Sequence, residues 1–392
     1  MISLYYNLIP MPTMPIASEI EIQLSEQLKT KIIQAIHSSQ GWISFDRFME
    51  FALYDPEFGY YNGNLRKFGE KGDFVTASEI SSFFAKTMCI QFEEIFLSLD
   101  KNIIEIGAGS GKFALEVIQS LGSKKIDHYF ILEISHSLRK RQYELLIKNL
   151  PPHLFSKVQW IDKIPQEYNG IVFCNELLDA LPVDLIKKSS GIPYQKGVGL
   201  ENDLFIWKDK AIKDLSTYDH INLESLPDNY LAEDAIHIKS WINNISESIS
   251  KGVVIIIDYG FNHSEYFHEQ RSQGTLMCHF KHHAHDNPLI QVGIQDITSH
   301  VNFSYVAREA SSKGLHINGF ISQANFLINC GILELLEKVN IEDSLLYMKS
   351  VSEIQKLLSP SEMGDLFKVM TIEKNIDINL VGLKNNNKVK TL

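Results

Sequence analysis

An alternation of short apolar strands and amphipathic helices runs through the centre of the chain and limits the folds it can adopt. One strand pattern begins at residue 102, and further strand patterns cover 128–135, 158–162, 170–176 and 252–260. Helix-like stretches lie between most of them. Repeated strand–helix–strand units of this length predict a parallel sheet covered by helices on both faces. We therefore expect an α/β fold.

Three further segments depart from this alternation. Residues 183–230 carry short strand-like pieces separated by turns, and residues 262–320 form a long polar segment with little periodicity. Near the end of the chain, 367–373 and 378–384 have strand patterns separated by a short polar stretch, which predicts an antiparallel hairpin. We expect both irregular segments to be insertions in the α/β unit.

The charge balance and the apolar content exclude several classes of protein. Acidic side chains outnumber basic ones, 48 to 37, and no block of lysine and arginine offers a surface for nucleic acid. An apolar run such as 253–257 is far shorter than the roughly 20 residues that cross a bilayer, so we expect no membrane-spanning segment. The four cysteines are far apart and form no C-x-x-C pair, which favours a reducing, cytoplasmic location.

A glycine-rich loop follows the first central strand. In the stretch EIGAGSGK, Gly107, Gly109 and Gly111 lie between that strand and a helix, where missing side chains let a ligand approach the backbone. The spacing is G-x-G-x-G, one residue shorter than the dinucleotide fingerprint, with Glu105 two residues before it. We interpret the loop as a site for S-adenosylmethionine rather than for NAD. A tight turn that binds no ligand is the alternative.

Acidic residues end the next two strands. Glu133 lies roughly twenty residues after the glycine loop, where its carboxylate can accept hydrogen bonds from both ribose hydroxyls of a nucleoside. Asp162 ends the following strand, and we expect it to contact the adenine amino group of the same cofactor. The alternative for each residue is an ordinary surface acid at the end of a strand.

Several motifs together resemble one known family. The glycine loop, GDFVTASEIS at 72–81, NELLDALPV at 175–183, IDYG at 257–260 and the segment 274–303 are similar to the mitochondrial complex I assembly methyltransferase and its bacterial relatives. The resemblance spans roughly residues 40 to 335. It implies a Rossmann-like, seven-stranded fold of the S-adenosylmethionine-dependent methyltransferases, with the last two strands as the hairpin. It also implies protein arginine methylation as the activity.

The resemblance suggests a role for each segment of the chain. Residues 1–100 are expected to form an N-terminal cap of helices and loops, and residues 101–182 with 231–392 the methyltransferase core. Residues 183–230 would be a β-rich insertion, and residues 262–320 an insertion on the substrate side of the core. The expected partner is a protein substrate such as a respiratory-complex subunit, and nucleic acid is not expected to bind.

The motif NELLDALPV contains the residues expected to act on the substrate. Asn175 and Glu176 end the fourth strand, and ligands of an open α/β sheet bind beyond the carboxyl ends of its strands. We expect Asn175 to contact the cofactor, and Glu176 and Asp179 to grip a substrate guanidinium and orient one of its nitrogens. The alternative is a helix start, with Asn175 as N-cap and both acids in the first turn.

Three more polar residues complete the predicted site. Thr76 is expected to contact the cofactor from the loop that precedes the first central strand, although the same stretch is also typical of a helix N-cap. His283 and Asp296 are expected to bind the substrate. The run HFKHHAHD at 279–286 contains several possible metal ligands, but its spacing matches no familiar zinc motif, so no metal is predicted.

Three functions remain open on the sequence. The leading hypothesis is an S-adenosylmethionine-dependent protein arginine methyltransferase. A methyltransferase for a small molecule or for another side chain is the second, and an assembly chaperone that binds the cofactor without catalysis is the third. The presence of Glu133, Glu176 and Asp179 argues mildly against the third, because a chain without catalysis would be free to lose them.

Overall fold

A sheet of eight strands forms the centre of the fold. The computed structural model describes residues 14–63 and 76–392, apart from residues 215, 219 and 222 and the side chain of residue 217. Seven strands form a continuous row, and the eighth, Val301–Asn302, pairs with the end of one of them. In spatial order the row is His316–Ser322, Phe367–Lys374, Ile249–Phe261, Tyr168–Asn175, Asn102–Ile106, His128–Leu132 and Val158–Ile161.

The five strands of the row that come first in the chain are parallel, as the alternation of strands and helices predicted. Phe367–Lys374 is antiparallel to both of its neighbours. The predicted hairpin is wrong, because its second strand, 378–384, contains the short 3-10 helix Val381–Leu383 and pairs with no strand. Its apolar residues pack against the hydrophobic core instead. The antiparallel partner is His316–Ser322.

Helices cover both faces of the central sheet. Side chains of successive residues on strand Ile249–Phe261 are buried in two different clusters, with Ile255 and Ile257 on one face and Val254 and Ile256 on the other. A strand that is buried on both faces has a continuous apolar sequence, as this one does. The longer helices are Ser82–Ile95, Lys112–Leu121, His136–Asn149, His237–Ser248, Phe303–Ser312, Gln323–Asn329, Ile332–Glu337 and Ser344–Leu358, and the shorter ones are Pro152–Phe155, His263–Tyr266, Ser216–Tyr218, Glu269–Arg271 and Val389–Thr391.

The N-terminal region and the segment 183–230 share a second sheet. The helices Glu19–Ser38, Phe45–Tyr54 and Ala77–Ile80 precede the central strands, and Ser18 caps the first helix with a reciprocal bond to Glu21. Between the first two helices, Ile43 and Ser44 pair with Val198 and Gly197. The antiparallel strands of this sheet are Ile43–Ser44, Ile192–Glu201, Asp184–Ser189, Leu231–Asp234 and Leu204–Ala211.

The segment 262–320 divides into two parts. Met277–Phe280, His283–His285 and Asp296–Thr298 form a small antiparallel sheet. The rest is not irregular as predicted: helix Phe303–Ser312 packs on the core, and strand His316–Ser322 crosses residue 320 as part of the central sheet. The division of the chain into domains otherwise stays a prediction.

Candidate active site

A cavity of about 470 Å³ lies beyond the carboxyl ends of the central strands. This volume falls within the ~300–1,000 Å³ typical of small-molecule sites. The position is the one at which open parallel α/β sheets bind ligands. The polar and aromatic residues that line it include Glu50, Tyr54, Tyr61, Thr76, Glu79, Glu105, Ser110, Glu133, Asn175, Glu176, His237 and Trp241.

The glycine loop turns back at the edge of this cavity. Gly107, Gly109 and Gly111 have φ angles of +72°, +52° and +83°, a left-handed conformation that glycine adopts without steric cost. Gly107 and Gly109 line the cavity, as predicted for cofactor contacts. Gly111 lies outside it, where a Cβ would sit 3.2 Å from Gln142 Cγ. Gly111 therefore lets helix Lys112–Leu121 pack closely against its neighbour.

Glu133 lies in the cavity wall with its carboxylate held in place. The residue is buried, and its Oε1 accepts a hydrogen bond from the Ser135 backbone N–H at 3.0 Å. Its Oε2 accepts a bond from Gln142 Nε2 at 3.1 Å, and Nε2 also donates to the Gly109 carbonyl oxygen at 3.0 Å. Gln142 thus connects the glycine loop with Glu133, and no sequence motif identified it. Burial raises the pKa of Glu133.

The structure does not bring Asp162 into the cavity. Its side chain is 88% exposed and pairs with Arg139 Nη2 at 2.6 Å. Arg139 in turn donates to the Glu133 and Ile161 carbonyl oxygens, so it occupies the region between the two strand ends. The predicted contact of Asp162 with adenine finds no support in this arrangement.

The short helix Ala77–Ile80 closes over the glycine loop. Thr76 and Glu79 line the cavity, and Lys112 Nζ donates to the Glu79 carbonyl oxygen at 2.9 Å. Ser110 Oγ donates to the Glu79 carboxylate. Thr76 is the N-cap residue, but its hydroxyl makes no capping bond and lies 3.0 Å from Ser78 Oγ. The rest of the predicted cofactor loop, 72–75, lies outside the described residues.

The turn after strand Tyr168–Asn175 is not a helix. Residues 176–183 contain only bends and a turn, so the alternative in which Asn175 caps a helix does not apply. Asn175 Nδ2 donates to Glu176 Oε1 at 2.8 Å, while Asn175 Oδ1 is buried without a hydrogen-bond partner among the described residues. Both residues line the cavity. A buried acceptor without a donor is costly, so we expect a bound ligand to supply one.

Of the two predicted catalytic acids, Asp179 is buried and Glu176 is partly buried, and Asp179 is close enough to affect the pKa of Glu176. Burial, with a contribution from Asp179, raises the pKa of Glu176 to about 8. Burial also raises the pKa of Asp179 to about 6, although the nearby Tyr259 hydroxyl favours the ionised form and acts in the opposite direction. Glu176 lines the cavity, whereas Asp179 does not. Asp258, near the end of the neighbouring strand, is the third acid of this group and is fully buried.

The two predicted substrate residues differ in their placement. Asp296 is buried, and its Oδ1 accepts a hydrogen bond from the Tyr61 hydroxyl at 2.9 Å, so it reaches the cavity through that ring. His283 does not line the cavity, and its Nδ1 lies 2.9 Å from the Lys281 carbonyl oxygen. Within the described ranges, no three His, Cys, Asp or Glu residues are arranged to hold a metal ion.

Several cavity residues carried no recognisable sequence motif. Glu50 and Tyr54 are one turn apart on helix Phe45–Tyr54, and both face the cavity. His237 and Trp241 do the same on helix His237–Ser248. The signal that could have found them is the polar and aromatic spacing of i and i+4 on an otherwise apolar helix, which many surface helices also have.

These features fit S-adenosylmethionine. The buried Glu133 carboxylate suits two ribose hydroxyls, and the side-chain-free surface of Gly107 and Gly109 leaves space for the ligand against the backbone. The buried carboxylates favour a cationic group, which a sulfonium provides. Residues that could hold the cofactor are therefore Gly107 and Gly109 of the glycine loop together with Glu133, Asn175 and Thr76.

Comparison with known proteins gives matches over nearly the whole chain. A crystal structure of a Burkholderia thailandensis protein bound to S-adenosyl-homocysteine has a TM-score of 0.93 and 34% identity, over 97% of this chain and 100% of that one. The mitochondrial protein arginine methyltransferase NDUFAF7 homolog of Drosophila melanogaster is 26% identical, over 89% of this chain and 84% of its own length. The human mitochondrial NDUFAF7 is 27% identical, over 85% and 80%.

The comparisons correct one prediction and identify the family. The expected cytoplasmic location is wrong by this measure, because the Drosophila and human relatives are named as mitochondrial proteins. No helix in the described part of the chain has the length and apolar character needed to cross a membrane. The model of a family described as S-adenosyl-L-methionine-dependent methyltransferase matches residues 87–321. The glycine loop, Glu133 and this match together place the chain in that family of S-adenosylmethionine-dependent methyltransferases.

Proposed function

We propose that this methyltransferase acts on an arginine side chain of a protein. The observation that carries the proposal is the acidic composition of the cavity wall. Five carboxylates line it, and the lysines and arginines of the described residues do not. A guanidinium is cationic at neutral pH and binds carboxylates through paired hydrogen bonds. The five acids are Glu50, Glu79, Glu105, Glu133 and Glu176.

Glu176 is the acid best placed to meet the substrate. It follows the fourth strand, beside the glycine loop, where a group transferred from the cofactor would be presented. Its raised pKa, about 8, means that it is mostly protonated at neutral pH when no cation is near. A guanidinium would favour the ionised form, so substrate binding would release a proton from Glu176 and form a charged pair.

The same acids can orient the substrate and pair with its positive charge. A guanidinium held by Glu176, with Asp179 as a second negative charge, would present one nitrogen at a fixed angle to the cofactor. S-adenosylmethionine, when bound, supplies the methyl group as an electrophile. The methylated nitrogen then has to lose one proton, and Glu176 in its ionised form is the nearest candidate base.

The curated relatives support the class of substrate. The Drosophila and human proteins are named protein arginine methyltransferases, and this chain matches both over most of its length. Within that class, we propose a respiratory-complex subunit as the substrate, on the resemblance to the complex I assembly methyltransferase. Asp296 and Tyr61 would form the substrate-side wall, whereas His283, which lies outside the cavity, has no part in this proposal.

Radiolabelled methyl transfer tests the proposal. An extract of cells that lack this gene is incubated with the purified protein and methyl-labelled S-adenosylmethionine, and labelled proteins are hydrolysed to amino acids. We expect label in methylarginine, and at least ~10²-fold less of it when Glu176→Gln replaces the wild type. Label in another amino acid or in a small molecule would favour the second hypothesis. Cofactor binding with no labelled product at all would favour a chaperone.

A further inference from the structure

A buried acid on the neighbouring strand holds the turn that carries the two candidate catalytic carboxylates. Asp258 is fully buried, and its Oδ2 accepts hydrogen bonds from the backbone N–H groups of Leu177, Leu178 and Asp179 at 3.1, 2.8 and 3.3 Å. These three amides would be satisfied within a helix or by water in most turns. Here a single carboxylate, about 80 positions further along the chain, accepts all three bonds in place of helix carbonyl oxygens or water.

The turn needs such support because its backbone is unfavourable. Glu176 has a φ of +52°, a left-handed conformation that residues with a side chain rarely adopt. Its N–H donates to the Ile257 carbonyl oxygen at 2.9 Å, which ends the pairing of the two strands. From there the chain bends over Asp258, so the positions of Glu176 and Asp179 depend on where that carboxylate lies.

The surroundings of Asp258 contain other acids and no cation that pairs with it among the described residues. Glu176 and Asp179 act on it electrostatically, and Asp296 acts on Glu176 from the small antiparallel sheet. The Tyr259 hydroxyl lies near Asp179 and favours its ionised form, and burial followed by the charge of Asp258 raises the pKa of the Cys174 thiol. Both Asp258 oxygens accept hydrogen bonds from backbone amides, since the Tyr259 N–H donates to Oδ1 at 3.0 Å and the turn donates to Oδ2.

We propose that Asp258 is a positioning residue of the methyl-transfer site, whose carboxylate fixes the turn that presents Glu176 and Asp179. It does not line the cavity, so it acts through those two acids. Burial and the neighbouring acids raise the pKa of Asp258, whereas the four backbone amides that donate to its oxygens favour its ionised form. Because the repulsion between Asp258 and Glu176 is mutual, replacing the ionised Asp258 with a neutral residue should lower the pKa of Glu176. What the acids do to a guanidinium rests on the proposed function, whereas the geometry and the charge coupling do not.

The first test needs no substrate. Melting temperature is measured from pH 5 to pH 9 for the wild type and Glu176→Gln, and the difference between them reports the ionisation of Glu176. The same pair is then compared in an Asp258→Asn background, in which the single oxygen can still accept the three amides, while the charge and the acceptor of the Tyr259 N–H are lost. We expect the midpoint of the difference curve to move to lower pH by at least ~0.5 unit, about 0.7 kcal/mol of lost repulsion.

A matched control removes another buried carboxylate from the same sheet. Glu373, on strand Phe367–Lys374, is buried and accepts a bond from Asn318 Nδ2 at 2.5 Å. Glu373→Gln should leave the Glu176 midpoint where it is in the wild type. An Asp258→Asn background that lowers the melting temperature equally at every pH, with an unmoved midpoint, would show a merely structural residue and overturn the proposal.

The variant Asp258→Glu separates the effect of the carboxylate's position from the effect of its charge. It also replaces Asp258→Asn in the test if that variant does not fold. It keeps the charge and pushes the carboxylate further into the turn. Using the labelled extract described above, we expect turnover to fall at least ~10-fold while the Glu176 midpoint stays near the wild-type value. Turnover equal to that of the wild type would contradict a positioning role. If neither the wild type nor any variant labels arginine in the extract, that result counts against the proposed function only. The melting curves still test the role of Asp258.

Discussion

Tyr61 and Asp296 are 235 positions apart in the chain, and the Tyr61 hydroxyl donates a hydrogen bond of 2.9 Å to the Asp296 carboxylate. The Tyr61 carbonyl oxygen accepts a second bond from Ser135 Oγ at 2.7 Å, two residues after Glu133. Tyr61 therefore joins the N-terminal region, the small antiparallel sheet and the loop beside the predicted ribose site. These contacts bring three distant parts of the sequence together beside the cavity, which Tyr61 lines.

Tyr61→Phe should destabilise the protein while keeping the ring in the cavity wall. Loss of a donor to a buried carboxylate costs roughly 1.5–3 kcal/mol, which denaturant unfolding measures directly. Tyr54→Phe is the matched control, since its hydroxyl donates to the neutral carbonyl oxygen of Ala180 at 2.9 Å. That change should cost only about 0.5–1.5 kcal/mol. Equal losses in the two variants would contradict a special role for the bond to Asp296.

Glu133→Ala should weaken the binding of S-adenosylmethionine. Removal of hydrogen bonds to a charged group costs about 1.5–3 kcal/mol, so the dissociation constant should rise by roughly 10- to 150-fold in calorimetry. Asp162→Asn is the control at the end of the next strand, where the side chain is 88% exposed and outside the cavity. We expect it to bind the cofactor as the wild type does. A large loss for Asp162→Asn would restore the adenine contact predicted from the sequence.

Glu176→Gln and Asp179→Asn should each slow methyl transfer. The amides keep the size and most hydrogen-bonding capacity of the acids but remove the charge that a cationic nucleophile needs. Loss of a preorganised electrostatic contact lowers turnover by at least ~10²-fold. Cofactor affinity should change little, because we expect the glycine loop and Glu133, and not these two acids, to hold the nucleoside. Turnover near the wild-type rate in both variants would exclude these acids from catalysis.

Stability should depend on pH in a direction set by Glu176. Its pKa is raised to about 8 in the folded protein from 4.5, so the folded state holds its proton more tightly than the unfolded state. The linkage relation then makes the unfolding free energy fall as pH rises from about 5 to about 8. Glu176→Gln removes this dependence and should be more stable than the wild type at pH 8, on the order of a few kcal/mol at most.

The comparison at two pH values isolates this effect from other buried acids. Glu105 and Glu116, with pKa values raised by burial to about 8 and about 7, give the same trend in wild type and variant alike. The difference in melting temperature between Glu176→Gln and wild type should therefore be small near pH 5 and largest near pH 8. A difference that does not change with pH would show that Glu176 ionises normally.

Local pattern by itself determined the elements and the type of cofactor site. The parallel strands are visible because a strand buried on both faces has a continuous apolar sequence, as at Ile249–Phe261. The glycine loop and Glu133 could be placed because each immediately follows a strand, and the carboxyl ends of parallel strands meet at one edge of the sheet. The same rule predicts Glu176 at the cavity, because this residue directly follows the fourth strand.

Tertiary structure alone decided which acids face the cavity and what holds them. Asp162 ends a strand as Glu133 does, yet its pairing with Arg139 keeps it at the surface. Asp258 supports a turn 79 to 81 positions away, and such a long-range contact has no periodicity to reveal it. The apolar spacing of 378–384 fits a strand and equally a chain packed on a core face. Only the packing distinguishes the two, because burial requires an apolar side chain and does not require strand pairing.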